Sequence, residues 1–237
     1  IGFHGNNLDA VEKLNALSRK ICMEHPAPET AMQWLEQVRS AIPYYGLFVS
    51  VLGHFLGALG YSLLFGCGAT DMVMSGLCGI LGGLLNRFMD KMKVNPFFET
   101  IFSAFSMALL AYWLNTHGLV QNVNSVVIGA LMILVPGLLF TNAMRDIIYG
   151  DTNSGITRFV QVLLISMGMA LGTAVAWNTS DLLWGMPHNL VELSNPLLVT
   201  AIGSLIGCIG FSILFNIHGP GGLLCALGGV CLLYTSD

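Results

Sequence analysis

The chain has 237 residues, 54% of them hydrophobic and 9% charged, with a net charge of −4 and a mean hydropathy of +0.72. A soluble domain carries roughly 25% charged residues, so this chain lacks the polar groups to cover a water-facing surface and reads as a polytopic membrane protein. The nine basic residues form no basic–aromatic surface for nucleic acid, and the six cysteines, without a CxxC pair, read as small packing residues rather than metal ligands or disulfides.

Residues 1–40 differ from the rest. Leu8, Val11, Leu14, Leu17 and Ile21 recur at helical spacing with Asp9, Glu12, Lys13 and Arg19 between them, which predicts an amphipathic helix. "HPAPE" (His25–Glu29) starts a second short helix, with Pro28 and Glu29 in its first turn. Both signs of charge on the polar face favour a cytosolic helical collar over a membrane-surface helix.

Residues 41–177 hold five apolar runs: Tyr44–Phe65, Met72–Phe88, Phe97–Leu114, Val123–Phe140 and Phe159–Trp177. An external loop is expected at 178–195. A second membrane segment follows at 196–230, with a sixth run at Pro196–Phe215 and the start of a seventh near Gly221. Each full run suits a hydrocarbon core of roughly 30 Å at 1.5 Å per residue. All nine Lys and Arg residues precede span one or lie between spans two and three or four and five. That bias sets the N-terminus in the cytoplasm. Both ends have the look of cut ends, and no run has a signal-peptide layout. "CLLYTSD" (Cys231–Asp237) resembles a translated transposon-end adapter, and 231–237 is set aside as an adapter-derived tail.

Small residues at four-residue spacing (Gly53/Gly57, Gly79/Gly83, Gly168/Gly172, Gly203/Gly207) point to closely packed helices. "LGALGYSLLF" (Leu56–Phe65) and "IGCIGFSILF" (Ile206–Phe215) match at a constant offset, and "LCGILGG" (Leu77–Gly83) resembles "LCALGG" (Leu224–Gly229). Five spans intervene, an odd number, so the copies run in opposite directions. The expected fold is an all-α polytopic helical bundle of inverted five-span repeats, the second one truncated.

The densest polar stretch is "PGLLFTNAMRDIIYGDTNSGITR" (Pro136–Arg158). Pro136 lies thirteen residues beyond Val123, about 20 Å down the span. It removes a backbone donor and crowds the carbonyl of Met132. Two outcomes stand open. One is a kink healed by neighbours; the other is a broken helix whose second half starts at Pro136–Gly137 with its positive dipole end in the bundle. Thr141, Asn142, Arg145 and Asp146 fall near the cytoplasmic boundary, with Asn142 and Asp146 on one face. "YGDTNSG" reads as a tight turn with Asn153 or Ser154 capping span five. An ordinary solvated helix end does not account for this density, so the group is read as a substrate or gating site.

"NSVVIGALMILVPGLLFTNAMRDIIYGDTNSGITR" (Asn124–Arg158) resembles the signature of the bacterial threonine/serine exporter family, over Leu8 to about Val230. Proline–glycine in a span, Thr-Asn, an acid, Gly-Asp and Ser-Gly before a basic residue carry the likeness. It implies an inner (plasma) membrane exporter related to two-component succinate exporters. It implicates Pro136, Gly137, Thr141, Asn142, Asp146, Gly150, Asp151, Ser154 and Gly155, and implies a second half that some relatives carry as a separate protein. The resemblance also implies a soluble segment ahead of the collar, so the start is expected to be truncated.

Among other polar residues, Glu99 in span three is a candidate proton-coupling carboxylate or an interfacial acid near Lys91 and Lys93. His54 reads as a packing histidine and Asp71 as a helix N-terminal acid. The leading function is secondary-active export of threonine or serine, with a dicarboxylate such as succinate as the alternative. Neither HExxH nor GxSxG occurs, and "IYGDT" has Ile148 where an intramembrane aspartyl protease needs glycine, so an enzyme is disfavoured. The expected partners are the lipid bilayer, the small-molecule substrate, protons as the coupling ion by resemblance, and a homo-oligomer. No cofactor, metal or nucleic acid is expected.

Overall fold

The computed structural model describes residues 7–185 and 196–235, and every regular element among them is helical. The first two helices, α1 (Leu8–Glu24) and α2 (Pro28–Ser40), form a hairpin. The Asn7 side chain accepts the Ala10 N–H at 2.9 Å to start α1, the capping contact expected of asparagine. Pro28 starts α2, where its missing N–H costs nothing. Lys20 of α1 stands 4.0 Å over the ring of Trp34 of α2, a cation–π contact that ties the pair.

The apolar helices are α3 (Leu47–Leu64), α4 (Ala69–Lys91), α5 (Pro96–Thr116), α6 (Val123–Leu131), α7 (Gly137–Ile148), α8 (Thr152–Trp184), α9 (Leu197–Leu214) and α10 (Gly221–Thr235). Five are long and apolar enough to cross a membrane, and α6 with α7 makes a sixth if the bent pair counts as one span. The chain is therefore a multi-pass helical membrane protein. The short α10 is the element expected near Gly221.

Glycine sets the packing. In α3, Gly53 and Gly60 lie against Ile213 and Gly207 of α9, so the backbones themselves touch. Gly129 brings α6 onto Ser62 of α3, and Gly168 and Gly172 bring α8 onto Phe97, Ile101 and Ala104 of α5. The apolar core lies where α4, α5 and α6 meet, around Cys78, Met107, Ala111, Val123, Val126 and Ala130. The α2–α3 linker docks on the α9–α10 turn. Asn216 donates to the Pro43 carbonyl at 2.8 Å, the Tyr45 hydroxyl donates to the Ile217 carbonyl at 3.0 Å, and Tyr45 stacks on His218. The Leu8 N–H reaches the Phe215 carbonyl at 3.0 Å, so α1 and the end of α9 share one side.

Helices α8 and α10 depart most from the sequence reading. Helix α8 runs from Thr152 to Trp184, well beyond the expected Phe159–Trp177. The expected external loop 178–195 therefore begins as helix, and residues 186–195 lie outside the described set. The physical reason is tertiary: Trp177 meets Tyr112 of α5 edge-on at 5.6 Å and Ser180 is fully buried, so packing carries the helix through a polar stretch. Likewise α10 extends to Thr235, into the segment set aside as an adapter-derived tail; Ser236 and Asp237 lie outside the described residues.

Candidate functional site

The fourth span is built in two pieces that have different neighbours. Its first piece, α6, is pinned at its start. Asn122 caps it by accepting the Ser125 N–H at 3.2 Å. Asp71 of α4, fully buried, accepts the Gln121 N–H at 2.9 Å and the Asn122 N–H at 3.0 Å. The Ser125 hydroxyl donates to the Phe65 carbonyl at 2.6 Å, and the Ser75 hydroxyl is shared between the carbonyls of Ala58 and Val126, 3.2 Å each. A carboxylate facing the free amides at a helix start is favourable in charge as well as in hydrogen bonding. Asp71 is thus more than the helix N-terminal acid read from sequence: it clamps a second element. The signal available was an acid on the side of the membrane without any Lys or Arg.

Beyond α6 a 3₁₀ turn, Met132–Leu134, tightens the helix and the Val135 N–H bonds to the Met132 carbonyl at 3.2 Å. That bond supplies the donor Pro136 cannot give. Val135 is extended, as a residue before proline prefers. Pro136, at φ −80° and ψ 52°, is the centre of an inverse γ-turn closed by the Gly137 N–H on the Val135 carbonyl at 2.9 Å. The axis bends by 55°. Of the two outcomes open from sequence, the broken helix is the one found.

The break leaves polar backbone on both sides. The carbonyls of Ile133 and Leu134 receive no backbone donor among the described residues, and the N–H groups of Leu138 and Leu139 reach no acceptor there. No side chain caps α7, and open space surrounds the Cβ position of Gly137. The depth is fixed by Ile133, whose side chain reaches Gly57 in the middle of α3 and Gly79 in α4. Pro136 follows roughly 5 Å further along. An open apolar groove of about 280 Å³ between α6 and α8, lined by Leu131, Met132, Val135, Met169 and Thr173, adjoins the break.

The second piece, α7, turns away from the core and packs on α8. Gly155 of α8 sits against Ile147 and the Ala143 carbonyl, and Phe140 meets Phe159 at 6.3 Å. Thr141 shares its hydroxyl between the Gly137 and Leu138 carbonyls, 3.1 Å each, and remains exposed. Asn142 is half-buried and its amide makes no hydrogen bond among the described residues. Asp146 pairs with Arg158 of α8 at 2.9 Å and lies 3.6 Å from Arg145. The hairpin closes at Gly150, whose φ of 91° suits glycine. Asp151 accepts the Ser154 N–H at 3.4 Å and is the cap of α8, correcting the expectation of Asn153 or Ser154.

The expected site residues thus fall in two places. Pro136 and Gly137 form the break, and Thr141 and Asn142 follow on α7, roughly 6–8 Å along the helix from Gly137. Asp146, Asp151 and Ser154 close the α7–α8 hairpin, the first of them about 14 Å from Gly137 along the helix. Glu99 joins neither. It sits half-buried in the first turn of α5, its charged neighbour is Asp90 of α4, and neither an ion pair nor a hydrogen bond links it to α7. The sequence reading gave Arg158 no site role, though its ion pair fixes Asp146.

A family model described as "Putative threonine/serine exporter" matches residues 1–180. A curated relative, the threonine/serine exporter of Corynebacterium glutamicum, is 22% identical over 187 residues, covering 77% of this chain and 38% of the relative. The chain therefore spans well under half the length of that relative. No solved structure matches.

Proposed function

The chain belongs to the threonine/serine exporter family, and from that premise we propose that it carries a small hydrophilic amino acid, threonine or serine, out through the break in its fourth span. The observation that carries this reading is the backbone left unpaired on the two sides of Pro136–Gly137, the carbonyls of Ile133 and Leu134 and the N–H groups of Leu138 and Leu139. Free N–H groups at the start of α7, with the positive end of its dipole, suit a carboxylate. The free carbonyls of Ile133 and Leu134, in the 3₁₀ turn on the other side of the break, suit an ammonium. An α-amino acid presents those two groups on adjacent atoms. A dicarboxylate has two anionic ends, and every Lys and Arg lies outside the central parts of the spans. The pattern therefore favours an amino acid over succinate.

Thr141 and Asn142, roughly 6–8 Å along α7 from Gly137, supply side-chain groups for the substrate's hydroxyl. The Asp146–Arg158 pair acts as the gate strut, because it decides how firmly α7 is held to α8. The side rich in Lys and Arg is the cytoplasmic one by the positive-inside rule. Helices α1 and α2 then form a cytosolic collar, and the host membrane is the inner (plasma) membrane. Export is driven by an ion gradient, with the proton as coupling ion and Glu99, half-buried in the first turn of α5 and apart from the break, as the coupling carboxylate.

The test is export from cells fed a threonine-containing dipeptide. The full-length protein should lower internal threonine and speed its appearance outside. Asn142→Ala should slow that flux without lowering the amount of protein in the membrane. If succinate leaves instead of threonine, the zwitterion reading is wrong and the transporter reading stands.

A further inference from the structure

Helices α3 and α9 touch through contacts that come in matched pairs. The Cβ position of Gly60 runs into the Gly207 backbone, and that of Gly210 runs into the Gly57 backbone. A Cβ on Gly53 would stand 2.9 Å from Ile213 and 3.2 Å from the Gly210 carbonyl; one on Gly203 would stand 2.7 Å from Leu63 and 2.8 Å from the Gly60 carbonyl. The Cβ position of Gly57 faces the Phe211 ring at 3.6 Å, and that of Gly207 faces the Tyr61 ring at 3.1 Å. Moving each α3 partner 150 positions forward and each α9 partner 150 back converts every one of these contacts into another member of the set.

The same offset relates the turns and helices downstream of the pair. The helices share both boundaries, Leu47–Leu64 and Leu197–Leu214. Ser62 and Ser212 donate to the Leu59 and Ile209 carbonyls, 2.8 Å each. The turns pass through left-handed residues, Gly66 at φ 78° and Asn216 at φ 54°. They close with the Cys67 N–H on the Ser62 carbonyl and the Ile217 N–H on the Ser212 carbonyl. The next helices dock alike, Gly79 of α4 against His54 and Ala58, Gly229 of α10 against Ser204 and Cys208.

An antiparallel pair whose contacts survive exchange has its two-fold axis perpendicular to both helices. For helices that cross a membrane, that axis lies in the membrane plane. We infer that α3–α4 and α9–α10 are equivalent helix pairs of opposite orientation, related by a two-fold axis through the Gly57, Gly60, Gly207 and Gly210 seam, and that transport rocks the two halves along this seam. The inference rests on the transporter reading above. At the seam the contacts at the two ends match, so the structure stands at the symmetric position. A tilt that opens one end and the same tilt of opposite sense make equivalent contacts, so one motion gives both outward- and inward-facing states.

Paired cysteines in a cysteine-free full-length protein test this. Gly53→Cys with Ile213→Cys reads one end of the seam, and Leu63→Cys with Gly203→Cys reads the other. Gly57→Cys with Phe211→Cys and Tyr61→Cys with Gly207→Cys form a second matched set where the fit is looser, should the tight glycine sites fail to fold. Both members of a set should crosslink on mild oxidation to similar extents. Either crosslink should abolish threonine efflux, and reductant should restore it. A set in which one member crosslinks and its counterpart does not, in protein present at parental levels, overturns the two-fold. Parental efflux from fully crosslinked protein overturns the rocking seam. Matched crosslinking in a parent that moves no threonine overturns the export reading and upholds the two-fold.

Discussion

Asp71 is fully buried and ionisable, with Lys and Arg confined to the opposite side of the bundle. Its two oxygens hold two backbone amides at the start of α6. Asp71→Asn keeps the size and one acceptor but turns an amide group toward a backbone N–H. Leaving a buried donor unpaired costs on the order of 1–3 kcal/mol, so the melting temperature in detergent should fall clearly; an unchanged one would show that the clamp contributes nothing. Asp151→Ala removes the α8 cap and should cost about 1 kcal/mol, read by the same melt. Asp146→Asn belongs to a different class. Arg158 is 41% exposed, and pairs near water contribute only about 0–1 kcal/mol, so the melt should hardly move. Export should fall nonetheless, because the pair ties α7 to α8. Parental export by Asp146→Asn would reduce the pair to a solvated helix end.

Pro136→Ala asks the corresponding question of an element. Alanine supplies the missing N–H and favours helix, so the variant should straighten the α6–α7 span, pair the stray carbonyls and amides, and lose export while remaining folded in the membrane. Full export by this variant would contradict a working break. The number and order of apolar helices were legible in the sequence, because hydropathy over a span-length window reports burial in lipid directly. Whether Pro136 kinks or breaks its helix was not legible, since proline removes the same donor in both cases. What decides is tertiary: Gly155 lets α7 lie on α8, and Asp71 holds α6 in the core. The ends of α8 were hidden because its polar ends stay helical through tertiary packing, the first turns on α7 and the stretch past Trp177 beside α5. The cap went to the wrong residue because Asp151, Asn153 and Ser154 are all good cap formers within one turn, and only the fold of the Gly150 turn selects among them. Asn142 was legible as a polar residue in a span. Its lack of any partner among the described residues needed the structure.

At the scale of the molecule, one side of the bundle carries all nine Lys and Arg residues. Single cysteines at the exposed positions Lys91 and Gln121 in a cysteine-free version should react with an impermeant reagent added outside intact cells at Gln121 alone. Equal reaction at both would contradict the proposed orientation. The central claim is that the break recognises a zwitterion, and counterflow in proteoliposomes loaded with threonine tests it most directly. Uptake of labelled threonine and serine should be strong. It should be weak for threonine methyl ester, which lacks the carboxylate, for N-acetylthreonine, which lacks the ammonium, and for succinate. Counterflow of the ester or of succinate at the threonine rate, or threonine counterflow that survives Pro136→Ala unchanged, would contradict the account.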